Sequence, residues 1–174
     1  MKTLLLILMI NTSIASEVFY VEPAGFVSLK TNRDSIELGL VQVINNKPMI
    51  ARDTAKEIVV SAGKAAKKYG IPLNVVLAIA FVESSYVLNS VNKASDDYGI
   101  MQVNQWHVKK SKLKVYKLLT EYDYSFEHGV RIFSWFYRKY PLDEAIARYN
   151  CGTRKSCPTW SKVKKYVDKV KGAM

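Results

Sequence analysis

The chain has 174 residues, enough for one domain with its own core, and its balance of 49% hydrophobic to 24% charged residues excludes an intrinsically disordered protein. A formal charge of +11 points away from cationic partners and towards anionic polymers. The absence of internal repeats and low-complexity tracts sets aside solenoid and fibrous architectures.

In chain order, residues 1–16 read as a secretory signal peptide. Met1-Lys2-Thr3 is a short charged start, Leu4 to Ile10 is apolar, and Asn11 to Ser16 is small and polar, with cleavage expected after Ala15. The apolar run is too short for a membrane span, which takes roughly 20 residues. The first cysteine is Cys151, so no lipid-bearing cysteine follows the cleavage site. The expectation is an exported protein, periplasmic or secreted, with no membrane anchor.

Residues 17–50 form an N-terminal extension. Within it Ser35 to Ile44 (SIELGLVQVI) is partly alternating and β-branched and is followed by Asn45-Asn46, which predicts a strand or hairpin. The main domain is assigned to residues 51–174. Thr54 and Glu57 have capping-box spacing. The helix they open runs to Tyr69 and stops at Gly70, a residue suited to a left-handed C-terminal position. Pro72 suits the first turn of a second helix, which ends near Glu83 to Tyr86. Asn89 to Asp97 is a polar loop, and Gly99 to His107 is expected as a short helix. Phe126 to Tyr140 predicts a long apolar-aromatic helix stopped by Pro141. Asp143 to Tyr149 and the basic stretch Ser161 to Val170 predict two more. The fold class is therefore mainly α: a compact helical domain with a small β element near the N-terminus.

The two cysteines, Cys151 and Cys157, are close enough for a local disulfide in an oxidising compartment, with two free thiols as the rival. Zinc takes about four ligands, and His107 and His128 are not spaced to complete a set. Both histidines read as structural or surface residues, and neither a metal nor a cofactor is expected. Lysines cluster at 109, 110, 112, 114 and 117, and again at 162, 164, 165, 169 and 171. They suit an anionic envelope polymer, or are simply solvated helix faces. No helix-turn-helix, zinc-finger or RNA-binding signature accompanies them, so nucleic acid is not the expected partner.

Glu83 closes the apolar run Val75 to Val82. Ala80, Ile79 and Val76 share its helix face, which turns the carboxyl towards the core. Burial and the negative end of the helix dipole both disfavour the charged form and raise the pKa. A neutral carboxyl near pH 7 is what a general acid requires; a capping or bridging glutamate is the plainer account. Gly99 would let backbone approach a ligand, and Gln102 offers the donor and acceptor that an N-acetyl group or hydroxyl needs. Tyr149 would hydrogen-bond a carboxyl and hold its rotamer.

Four stretches in order, Glu83-Ser84, Gly99-Ile100-Met101-Gln102, Arg148-Tyr149-Asn150-Cys151-Gly152 and Tyr166-Val167-Asp168-Lys169-Val170, resemble the lytic transglycosylases of the goose-type-lysozyme-like superfamily with its SLT domain. The resemblance covers roughly residues 53–170. It is closest to the small single-domain members of conjugation and secretion systems and to similar phage proteins. It implies an α+β lysozyme-like domain acting on peptidoglycan glycan strands. Glu83 would be the catalytic acid at the bond between N-acetylmuramic acid and N-acetylglucosamine, with a 1,6-anhydro ring as product. Tyr149 would orient it, and Ser84, Tyr98, Gly99, Met101, Gln102, Asn104 and Asn150 would line the sugar cleft. Three positions depart from the family pattern: Tyr98 is larger than usual, Ser125 stands where an asparagine is common, and Cys151 replaces a common alanine.

Tyr86, Tyr98, Trp106 and Trp160 flank the motifs and are candidates for sugar stacking, whereas Phe133, Trp135, Phe136 and Tyr137 are expected in the core. Two alternatives stand beside the leading one. Hydrolysis of lysozyme type would have Asp96 or Asp97 position a water, although both also suit a cap for the helix expected at Gly99. A wall-binding component of an envelope-spanning secretion, conjugation or phage assembly would use the extension and the basic helices.

Overall fold

The computed structural model describes residues 20–22, 25–27, 32–152 and 160–174. Strands β1 (Tyr20–Glu22) and β2 (Gly25–Val27) pair antiparallel, Val21 opposite Phe26. The stretch expected as a strand at Ser35 to Ile44 is instead helix α1 (Asn32–Asn46). Ile36, Gly39, Leu40 and Val43 recur at helical spacing and face the core, while Leu38, Val41 and Ile44 are exposed. Both faces carry apolar residues, which hid the 3.6-residue period. Gly39 permits close approach: a Cβ there would stand 2.8 Å from Val59 Cγ1 on α2 (Arg52–Tyr69).

α2 begins earlier than expected. Ala51 is its N-cap with no side-chain cap bond, so Thr54 and Glu57 lie inside the helix rather than forming a capping box. Its buried face begins at Ala55 and includes Ile58, Val59 and Ala62. That face draws the helix back to Arg52. Gly70 ends α2 in the left-handed region at φ 67°.

α3 (Leu73–Ser84) is apolar on every side from Val75 to Ala80, and all six of those residues are buried. A helix apolar all round belongs in the middle of a domain. α3 accordingly packs against α1, α2 and α8 (Trp160–Gly172). The rest of the core comes from α6 (Tyr122–Tyr137), which lies along α2, and α7 (Leu142–Cys151), which joins α6 to α8. Fully buried Phe126 and Phe133 on α6 each contribute about 2–3 kcal/mol of hydrophobic burial. Trp135, expected in the core, is 40% exposed, with Lys139 Nζ 3.8 Å above its ring. It falls on the outward side of α6, between the turns that carry Phe133 and Phe136.

The helix expected at Gly99 to His107 is a turn, a strand and a helix start. β3 (Val91–Asn92), β4 (Asp97–Tyr98) and β5 (Val103–Asn104) form an antiparallel sheet in that order. Val91 faces Tyr98, and Asp97 faces Asn104. Asp96, Gly99 and Gln102 have φ of 57°, 81° and 47°, which a right-handed helix cannot accommodate. α4 (Gln105–Lys110) and α5 (Val115–Thr120) follow.

Candidate active site

Glu83 sits in the last turn of α3, half-buried. Beyond it the chain reverses through two consecutive left-handed residues, Ser85 (φ 52°) and Tyr86 (φ 62°). Tyr86 is buried, tilted against Phe81, and its hydroxyl accepts a bond from Asn46 at 3.2 Å. It anchors the reversal and is not available for stacking on a sugar.

Burial pushes the Glu83 carboxyl up to about 7. The Tyr166 hydroxyl donates to Glu83 Oε1 at 2.6 Å and pulls the other way, and the nearby Asp97 carboxylate adds to the rise. Burial and the Glu83 charge hold the Tyr166 phenol well above its usual pKa, so it stays a donor. Among the described residues nothing bonds Glu83 Oε2. The bond expected from Tyr149 therefore comes from Tyr166 on α8. Tyr149 lies near enough for the Glu83 charge to help raise its own phenol pKa, after burial, but its hydroxyl donates to the Met101 carbonyl at 2.7 Å.

Tyr166 lies on the inward stripe of α8, between buried Val163, Val167 and Val170. The Tyr166-Val167 motif was visible in the sequence without a role attached. The signal that assigns one is its place on that apolar stripe, away from the lysines.

Most polar residues expected to line the cleft are engaged in building it. Ser84 Oγ donates to the Ile100 carbonyl at 2.8 Å and to its own helix at Ala80 O. Gln102 Nε2 donates to the Gly99 carbonyl at 2.8 Å and to Ser90 O at 3.2 Å. Asn104 caps α4 by accepting from Trp106 N at 3.0 Å, while its Nδ2 donates to Asp97 Oδ1 at 2.7 Å and Ser95 O at 2.8 Å. Asp97 also accepts from Ser95 Oγ and so is locked in the sheet; it caps no helix.

Two expected cleft residues are not exposed to a ligand at all. Met101 is fully buried beneath the turn, where a Cβ on Gly129 of α6 would stand 2.3 Å from Met101 Cβ. Gly99 brings backbone close to protein rather than to a ligand: a Cβ there would lie 2.4 Å from Leu118 O and 2.6 Å from the Oγ of buried Ser125. Tyr98 is half-buried against Val103, Val108 and Leu118. Asn150 is exposed in the last turn of α7, and Trp106 is 58% exposed. Cys151 ends α7 half-buried. Cys157 lies outside the described residues, as does the Trp160 side chain. Among the described residues no cluster of three or more His, Cys, Asp or Glu could hold a metal, and no helix is long and apolar enough to cross a membrane.

A mainly α domain with a short antiparallel sheet beside a carboxyl at a helix end is the lysozyme-like arrangement. Residues 61–170 match the model of the Transglycosylase SLT domain, and the chain belongs to that family. It is also similar to Protein IpgF of Shigella flexneri and of Shigella sonnei, each 34% identical over 97 residues, or 52% of this chain and 64% of the relative. The matched stretch thus spans just under two thirds of those relatives.

Proposed function

We propose that the protein is a peptidoglycan lytic transglycosylase and that Glu83 carries its chemistry. The observation that supports this most directly is a half-buried carboxyl with pKa about 7, pinned at one oxygen by Tyr166 and free at the other among the described residues. With Oε1 accepting from Tyr166, the neutral acid carries its proton on Oε2. It gives that proton to the oxygen bridging N-acetylmuramic acid and N-acetylglucosamine as the C1–O bond breaks. The leaving sugar departs with a free 4-hydroxyl. Glu83, now a carboxylate, takes the proton of the muramic C6 hydroxyl as O6 bonds to C1. The anhydro ring closes, Glu83 is protonated again, and no water is consumed. One carboxyl suffices because the sugar supplies the nucleophile; a retaining glycosidase needs a second carboxyl about 5–5.5 Å away.

Asp97 supports a second reading, hydrolysis. Its carboxylate is fixed by Ser95 and Asn104 and is close enough to act on Glu83 electrostatically, so it could hold a water. Mass analysis of products from purified peptidoglycan separates the two. Anhydro ends, one water lighter than reducing ends and absent with Glu83→Gln, support transglycosylation. Reducing ends alone overturn it in favour of hydrolysis. The proposal extends to export with cleavage after Ala15, pairing of Cys151 with Cys157, and local opening of the wall for an envelope-spanning secretion, conjugation or phage machine. N-terminal sequencing and the mass of the secreted chain with and without reductant test the first two.

A further inference from the structure

Between Asp97 and Glu121 the chain contains no acidic residue and five lysines. Among the described residues, only Lys117 of these five is ion-paired, to Glu121 at 3.0 Å. Lys109, Lys110, Lys112 and Lys114 are exposed on α4 and the loop into α5, without an acid partner among the described residues. Arg131 of α6 joins them through a 3.1 Å bond to Ser111 Oγ. Lys110 Nζ lies 4.5 Å from the centre of the exposed Trp106 ring, so charge and apolar ring stand side by side. After burial, the nearby Arg131 and Lys110 charges hold the pKa of His107 below its usual value. Unneutralised like charges repel unless an anion joins them.

A chain of contacts leads from Glu83 to this face. Asp97, which acts on Glu83, is bonded to Asn104, and Asn104 accepts from the backbone N–H of Trp106. A polymer bound at Glu83 and following that chain would meet Trp106 and the lysines. Peptidoglycan bears sugar rings that suit an exposed indole and peptide stems whose carboxylates suit lysines.

We propose that Trp106, Lys109, Lys110, Lys112, Lys114 and Arg131 form an accessory wall-binding face that holds the carboxylate-bearing peptide stems of peptidoglycan beside the cleft. The proposal rests on the reading of this chain as a peptidoglycan enzyme. It concerns retention on the wall, which is measured separately from cleavage.

The test is co-sedimentation of the full chain, carrying Glu83→Gln to prevent digestion, with intact sacculi, with glycan stripped of its stems by an amidase, and with duplex DNA. Lys109→Gln, Lys110→Gln and Lys114→Gln are combined. Lys112 is left alone because its φ of 51° makes the loop sensitive to exchange. The expected result is at least about a tenfold weaker hold on intact sacculi, more pronounced at low than at high salt. The same three positions changed to Arg should retain binding, and stripped glycan should be held weakly by every variant. With Glu83 restored, the triple Gln variant should cleave short soluble glycan stripped of its stems as fast as the parent, which excludes misfolding. Unchanged sedimentation of the triple Gln variant, or equal binding to intact and stripped glycan, overturns the proposal. Tighter binding to DNA than to sacculi overturns it too and makes this a nucleic-acid face. Failure of the proposed function would appear elsewhere, as cleavage surviving Glu83→Gln.

Discussion

In the β4–β5 wall beside Glu83, the polar side chains are bonded to the protein itself. Ser84, Gln102 and Asn104 donate to backbone carbonyls of the loop and its turn, and Asp97 is held by two neighbours. On the adjoining α4–α5 face, four exposed lysines have no acid partner among the described residues. The first region is polar and bonded within itself; the second is polar and its lysines lack acid partners among the described residues. A glutamine or asparagine inside a motif thus reads as a ligand group when its side chain is bonded to backbone.

The comparison breaks most sharply at Glu83. Glu83→Gln should reduce cleavage of peptidoglycan by about a thousandfold, the general-acid contribution, in a reducing-end or anhydro-product assay; retained activity would move the chemistry elsewhere. Next comes Gly129→Ala, which drives a methyl into Met101 and should cost about 3 kcal/mol in denaturant melts. A small cost would mean that the wall yields. The third test reads Glu83 as a burden on stability. Its folded pKa, about 7, lies above the ordinary 4.5, so the folded state binds its proton more tightly than the unfolded. Its contribution is fully present below pH 4.5 and is lost as pH rises through 7. Glu83→Gln should therefore match wild type in acid and exceed it by on the order of 2 kcal/mol at about pH 8, in thermal melts across pH.

Asn104→Ala removes a helix cap and two ties to the sheet, and should cost about 2 kcal/mol with a loss of kcat larger than any change in KM. The smallest effect is expected from Tyr166→Phe. Losing a bond that lowers the Glu83 pKa should move the alkaline limb of the pH–rate profile upward and cut kcat about tenfold through looser positioning. An unmoved limb would mean that Tyr166 is only packing.

The sequence made α3 legible because an uninterrupted apolar run has one natural place in a domain, the middle, and Glu83 inherits its half-burial from that run. Gly70 was legible for a local reason, its freedom at positive φ. Residues 99–107 were not. Their turn depends on Gly99 fitting beneath Leu118 and Ser125 and on Met101 filling the space above Gly129, contacts across 19 to 28 residues that no window of sequence contains. α1 was missed because its outer face is as apolar as its inner one. Tyr166 was quoted in its motif, but its partner lies 83 residues away.

Ser84 and Tyr149 grip successive carbonyls of one turn, Ile100 and Met101, from α3 and α7. The acid and the sheet beside it are thereby tied together through one turn. On the proposed function, a glycan bound there would meet a wall held from both sides, so any bending would fall to the sugar. Backbone amides of residues 99–104 should accordingly show the same slow hydrogen exchange whether or not a glycan fragment is bound.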